Sequence, residues 1–258
     1  MLNPNLHDER IVSRVIEAIA NRQISVAVQG VHAADDTDRI LYGECLSRMT
    51  DHNGNVHCAA EFIPAMELLG ASALLDRHIL ALVLDELESD PYAVLGCNLS
   101  ADNLLSDTDW FGVIHQIRAR KHLADRLILE ITETNPLQDI KVAAQLLEDA
   151  RELGCRVAID DFGTGHWTPE ALIELEPDIV KIDSVFTERA TQNVAGRRFL
   201  ERITSLASGC GATTVIEGII TKQHLDQALW ANPGYLQGFF LSRPVSMQSQ
   251  ASVGGLKH

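Results

Sequence analysis

The sequence predicts an α/β fold, a closed TIM-like barrel of β/α units. From about residue 64 to residue 231, short apolar runs alternate with helical patterns, and strand–helix alternation builds a parallel sheet. A total of about eight strands in ~250 residues suits a sheet that closes on itself. Nearly every apolar run also carries one polar residue at or near its C-terminal end, where β/α barrels assemble their active sites.

Residues 1–22 are expected to form a lead-in helix, with Ile11, Val12, Val15, Ile16 and Ile19 at near-helical spacing. The barrel is expected over 23–245, since no linker rich in Pro, Gly or Ser divides the chain. Residues 24–29 alternate as a strand, a polar turn surrounds Asp35 to Asp38, and residues 40–48 read as a second strand. That turn is too short for a parallel crossover, so the two strands pair antiparallel. Helical patterns then fall at 64–88, 109–121, 138–153, 168–175, 190–208 and 221–231. The apolar runs between and after them are 93–98, 127–131, 156–160, 179–182, 213–217 and 236–240. Residues 246–258 are polar and glycine-containing, and read as a flexible tail.

Bulk properties exclude several classes. The 258 residues are 46% hydrophobic and 22% charged, as in globular proteins that bury a core. No apolar run approaches the ~18 residues of a membrane helix, and the N-terminus lacks the pattern of a signal peptide, so a cytoplasmic location is the default. Five scattered cysteines without a C-x-x-C pair argue against a disulfide framework or thiolate zinc, and are expected to be reduced core residues. A net charge of −15 disfavours a broad surface for nucleic-acid polymers. An anionic substrate would need a local attraction, such as a metal.

The polar residues at the run ends are Glu44, Asn98, Glu130, Asp160 with Asp161, Lys181, Glu217 and Gln237. Charged residues in apolar strands are costly to bury unless paired or metal-bound. Two like charges ~4 Å apart repel by about 4 kcal/mol at an effective dielectric near 20, so five carboxylates at one mouth call for cations. A donor set of oxygens alone favours two Mg²⁺ or Mn²⁺ ions over zinc. Two such ions activate a water and stabilise charge on a phosphoryl oxygen.

Successive strand residues face opposite ways, so Asp160 and Asp161 cannot share a pocket on a regular strand. Asp161 must sit where the strand is ending, with Gly163 and Gly165 permitting the bend. Taken alone, the pair reads equally as a turn in which Asp161 caps the following helix. Lys181 positions the water or neutralises a phosphate oxygen; the competing reading is a buried salt-bridge network with one or two acids. Gln237 is suited to holding a water or ligand by hydrogen bonds. Arg48 shares a strand face with Glu44 and reaches a phosphate or guanine edge, or else makes an exposed salt bridge. Leu46 joins Arg48 and Gln237 in the substrate-binding set. Glu133 is placed to fix the loop after Asp161, and Asp183 either orients Lys181 or caps the next helix.

Glu44-Cys45-Leu46 with Arg48, Asn98-Leu99-Ser100, Glu130-Ile131-Thr132-Glu133, Asp160-Asp161-Phe162-Gly163-Thr164-Gly165, Lys181-Ile182-Asp183, Glu217-Gly218 and Gln237-Gly238 occur in this order. Together they resemble the EAL-domain cyclic di-GMP phosphodiesterases, from about Gln29 to Pro244. The resemblance implies a modified (β/α)8 barrel with one antiparallel strand and two-metal hydrolysis of cyclic di-GMP to linear pGpG. It implies metal ligands at Glu44, Asn98, Glu130, Asp160, Asp161 and Glu217. It also implies catalytic roles for Lys181, Glu217 and the loop-stabilising Glu133, a site glutamine at Gln237, and a homodimer. The chain departs from the family pattern at Cys45, Gly30, His166-Trp167 and Ile220; His166 and Trp167 lie where the family makes dimer contacts and orders its metal loop. The other readings are a non-catalytic cyclic di-GMP receptor or interaction module on the same fold, and a sugar-metabolism barrel enzyme with one Mg²⁺.

Overall fold

The computed structural model describes residues 4–132, 139–165 and 167–247. Helix α1 (Pro4–Ala20) precedes β1 (Ile24–Ala33), β2 (Ile40–Thr50) and β3 (Val56–Cys58). Then come α2 (Ile63–Leu68), α3 (Ser72–Ser89), β4 (Leu95–Ser100), α4 (Asp107–Ala119), β5 (Leu127–Thr132) and α5 (Ile140–Leu153). Next are β6 (Arg156–Phe162), α6 (Pro169–Leu175), β7 (Ile179–Ile182), α7 (Ser184–Gln192), α8 (Val194–Gly209), β8 (Thr213–Ile216), α9 (Lys222–Trp230), β9 (Tyr235–Leu236) and β10 (Val245–Ser246). No described helix is long and apolar enough to cross a membrane.

The sheet runs β1-β9-β8-β7-β6-β5-β4-β2 and returns to β1, closing a barrel among the described residues. All neighbours from β2 through β9 are parallel, whereas β1 is antiparallel to both β2 and β9. The short polar turn after β1 therefore does what its length predicts. Strands β3 and β10 lie outside the ring, antiparallel to β2 and β1 respectively.

Several boundaries differ from the periodicity. The pattern at 64–88 is two helices, because Gly70 at φ 64° sits in the break between α2 and α3. The pattern at 190–208 is likewise split. Asn193 leaves the helical conformation, and its side chain caps α8 through Gly196 N at 2.8 Å. The last barrel strand is only two residues long, and the Phe239 and Phe240 expected in it are about half exposed. Beyond Pro244 the chain does not go straight into a tail, since Val245 and Ser246 pair with β1; residues 248–258 lie outside the described set. Of the cysteines expected in the core, Cys45, Cys97 and Cys155 are buried but Cys58 and Cys210 are exposed.

Two apolar layers hold the barrel. The larger packs the outer faces of the strands against the helices, for example Leu80, Val83, Leu99, Leu129, Leu147 and Ile159. The smaller fills the inside with Val31, Tyr42, Ile128, Ala158, Ile179 and Val215. Inward residues alternate with outward ones along each strand, so the next inward position on several strands lies just above this plug. Those positions are Glu44, Glu130, Asp160 and Lys181.

Helix α3 anchors the end of β4. Asp76 Oδ2 accepts hydrogen bonds from the Ser100 amide at 2.8 Å and from Asn103 Nδ2 at 2.7 Å. Burial pushes its carboxyl from the ordinary 3.8 up to about 7, with those two bonds opposing the rise. The folded state therefore holds a proton there that the unfolded chain releases near pH 4. The stabilising contribution is complete below that pH and is lost as pH rises towards 7. Between pH 5 and pH 7 the Asp76→Asn variant should gain on the wild type by at most about 1.4 kcal/mol per pH unit. Melting temperatures of both proteins at pH 5, 6, 7 and 8 check this; a pH-independent difference would contradict the assignment.

Candidate functional site

Lys181 is fully buried on β7 and is the hub of the mouth. Its Nζ lies 3.2 Å from Glu44 Oε2, 2.9 Å from Glu130 Oε2, 3.0 Å from Asp160 Oδ1 and 3.0 Å from Glu217 Oε1. The sequence allowed a network with one or two acids; the structure has four. Glu44 is not at the end of its strand but in the middle of β2, which runs on past the mouth to pair with β3. Glu217 and Gln237 stand one residue beyond β8 and β9.

The amides complete the cluster. Asn98 Nδ2 donates to Glu44 Oε1 at 2.9 Å and Gln237 Nε2 donates to Glu44 Oε2 at 2.6 Å. These contacts leave Asn98 Oδ1, Glu130 Oε1 and Gln237 Oε1 buried without a hydrogen-bond donor. Orphaned buried acceptors are rare and call for a partner. Glu44, Glu130 and Asp160 bring one oxygen each within 4.8 Å of one another, and so do Asp160, Asp161 and Glu217. The two triads share Asp160. The donor set, all oxygen and strongly anionic, fits hard divalent cations.

Protonation reports the same excess of charge. Burial pushes Glu130 up to about 8, aided by Glu44 and Asp160 against the pull of Lys181. Burial followed by repulsion from Asp160 and Asp183 raises Asp161 to about 7. Glu217 is held well above the carboxylate range by burial, against Lys181. Burial acts on Glu44 too, but there Lys181 and the donors Asn98 and Gln237 outweigh it and keep the carboxyl low. One lysine neutralises only part of the cluster.

Asp160 and Asp161 reach their places through a defect in β6. The β6–β7 register shifts between Ile159 and Phe162, and Asp161 has φ 52°, the left-handed region a non-glycine residue enters at a cost. The strand therefore bends at Asp161, as alternation demands. Asp160 Oδ1 accepts the Asp161 amide at 3.1 Å, and Thr164 Oγ1 donates to the Asp161 carbonyl at 3.2 Å. Asp161 does not cap the next helix; Thr168 does, accepting from Ala171 N at 3.2 Å. Asp183 caps α7 through Val185 N at 2.6 Å and accepts from Thr164 Oγ1 at 3.2 Å.

Other predicted residues are less central. Arg48 is half-buried and donates to the Ser47 carbonyl at 2.8 Å. Leu46 lines a cavity of about 250 Å³ with Asn98 and Asp161, opposite Ile63, Met66 and Asp76. Glu133 and His166 lie outside the described residues, while Trp167 is buried in the outer core. Two residues of this region escaped the sequence reading. Tyr42 donates its hydroxyl proton to Glu130 Oε2 at 3.0 Å; its signal was parity, two residues before Glu44. Asp76 was legible as an acid directly after Leu74-Leu75 in an otherwise apolar helix face.

The EAL domain model matches residues 12–244. The probable cyclic di-GMP phosphodiesterase PdeA of Escherichia coli K12 is 32% identical over 209 residues, 79% of this chain and 28% of PdeA, so the chain spans less than a third of that relative. The cyclic di-GMP phosphodiesterase PdeL of the same strain is 25% identical over 253 residues, 95% of this chain and 69% of PdeL. The EAL domain of Pseudomonas aeruginosa FimX bound to c-di-GMP shares the fold with a TM-score of 0.79 at 22% identity, over 91% of this chain and 96% of that domain's chain. With the family model covering nearly all of the barrel, the chain belongs to the EAL domain family.

Proposed function

We propose that the protein hydrolyses one phosphodiester bond of cyclic di-GMP to give linear pGpG, using two divalent cations held at the barrel mouth. The observation that carries this is the pair of carboxylate triads sharing Asp160, with three orphaned acceptor oxygens around them. Glu44, Glu130, Asp160, Asp161 and Glu217 set against Lys181 leave four formal negative charges, which two divalent ions balance. The cyclic dinucleotide enters through PdeA and PdeL, whose names specify it, and through the ligand of FimX.

When bound, Mg²⁺ or Mn²⁺ supplies an acidified water and neutralises charge on the phosphoryl oxygens. Everything else falls to the protein. Glu44, Asn98, Glu130, Asp160, Asp161 and Glu217 present the oxygens that hold the ions. Lys181, within 3.2 Å of four carboxylates, offsets part of their charge and adds a fixed positive charge to the mouth. Gln237, anchored on Glu44, turns its free Oε1 to accept from the attacking water or from the nucleotide. Arg48 pairs with the second phosphate. The cavity beside Leu46 takes one guanine, whose N–H donors face Asp76. Glu133 steadies the loop after Asp161, and the active form is a homodimer.

Incubation with cyclic di-GMP should yield pGpG with Mg²⁺ or Mn²⁺ and none in EDTA, with turnover per chain rising with protein concentration. Chromatography of the products reads this, and absence of pGpG with both ions refutes the reading. Binding without turnover would instead make the chain a cyclic di-GMP receptor.

Asp160→Asn turns the carboxylate shared by both triads into a neutral amide and should lower turnover by roughly 100-fold or more at an unchanged circular dichroism spectrum. A rate equal to wild type would place the cations elsewhere.

Metal should also stabilise the fold. At about 100 times its dissociation constant, one ion adds about 2.7 kcal/mol. Thermal melts should therefore rise by roughly 5–10 °C when Mn²⁺ replaces EDTA, and a smaller rise is expected in Asp160→Asn.

A further inference from the structure

The underside of the carboxylate cluster carries a feature that the proposed chemistry does not itself require. Tyr42 is 1% exposed and stands inside the barrel, two residues before Glu44 on the same face of β2. Its ring belongs to the inner apolar plug, yet its hydroxyl points up into the carboxylate layer and donates to Glu130 Oε2. The same oxygen receives Lys181 Nζ, while Glu130 Oε1 has no donor.

The neighbouring strand is cut to fit. Gly96 on β4 is paired with Glu44 and with Ile128. A Cβ at Gly96 would collide with Glu130 Oε1 and stand 2.6 Å from Tyr42 Cε2. Glycine inside a strand weakens it and marks a close approach by another group; here the groups are the Glu130 carboxylate and the Tyr42 ring. Large tyrosine and absent side chain are thus two halves of one arrangement.

We propose that Tyr42 is a positioning residue for Glu130: with Lys181 it claims Oε2, and with the space at Gly96 it sets the plane of the carboxylate so that Oε1 alone is presented to a cation. The inference rests on the two-cation reading of the site, and its direct readout is metal affinity, not turnover. Partners that orient a ligating carboxylate are worth roughly 10–100-fold in metal affinity.

The experiment is calorimetric titration of Mn²⁺ into nucleotide-free wild type, Tyr42→Phe and Gly96→Ala, with melts in EDTA to monitor the fold. Tyr42→Phe should melt within a few degrees of wild type but bind Mn²⁺ about tenfold more weakly, and excess Mn²⁺ should restore its hydrolysis of cyclic di-GMP. Gly96→Ala removes no polar atom and should weaken Mn²⁺ as well, by displacing Glu130. Equal Mn²⁺ affinity in wild type and Tyr42→Phe overturns the inference. Failure of the wild type to bind either Mn²⁺ or Mg²⁺ overturns it together with the phosphodiesterase reading, whereas metal binding without hydrolysis overturns only the latter.

Discussion

A single ammonium group, Lys181 Nζ, lies within 3.2 Å of four carboxylates on four different segments of the barrel. Breaking such a buried cluster by removing one partner typically costs about 3–5 kcal/mol, because the remaining charges are left uncompensated. The lysine thus ties β2, β5, β6 and the end of β8 to β7 through their side chains, where backbone pairing ties each strand only to its neighbours. It cannot neutralise all of them. Burial raises the carboxyls of Glu130, Asp161 and Glu217, and repulsion from neighbouring acids adds to the rise.

The topology makes this crowding achievable. Parallel strands in register put inward residues at similar depth, so Glu130, Asp160 and Lys181 meet without any loop having to reach. Reversal of β1 lets β2 follow it after a short turn and carry Glu44 deep into the mouth, level with Gly96 on β4. Below that level the apolar plug excludes water, which strengthens every interaction above it.

Much of this was legible in residue order, and the failures have identifiable causes. Polar residues at successive run ends located the mouth because alternation and barrel closure leave few other places for them. Alternation also required a bend at Asp161, and the register shift supplies it. Depth along a strand was not legible: Glu44 lies mid-strand because β2 runs on to pair with β3, a hairpin that apolar periodicity alone does not bound. Helix breaks at Gly70 and Asn193 were hidden because apolar residues continue in phase across them. Four acids around Lys181 could not be read from the chain, since their convergence is set by the curvature of the closed sheet. Tyr42 went unnoticed because an aromatic in an apolar strand looks like filling until its hydroxyl is seen to have a partner.

The left-handed backbone at Asp161 limits how the cluster can change over evolutionary time. Asparagine and glycine tolerate that conformation, whereas branched or bulky side chains carry a conformational cost in addition to the loss of the carboxylate. Drift at this position is therefore channelled. A descendant that abandoned the acid could slip to Asn or Gly with the barrel undisturbed, but replacement by Val or Ile would tax folding as well as chemistry. Asp160, one residue earlier, has no such filter, so substitutions at the two aspartates should carry different histories.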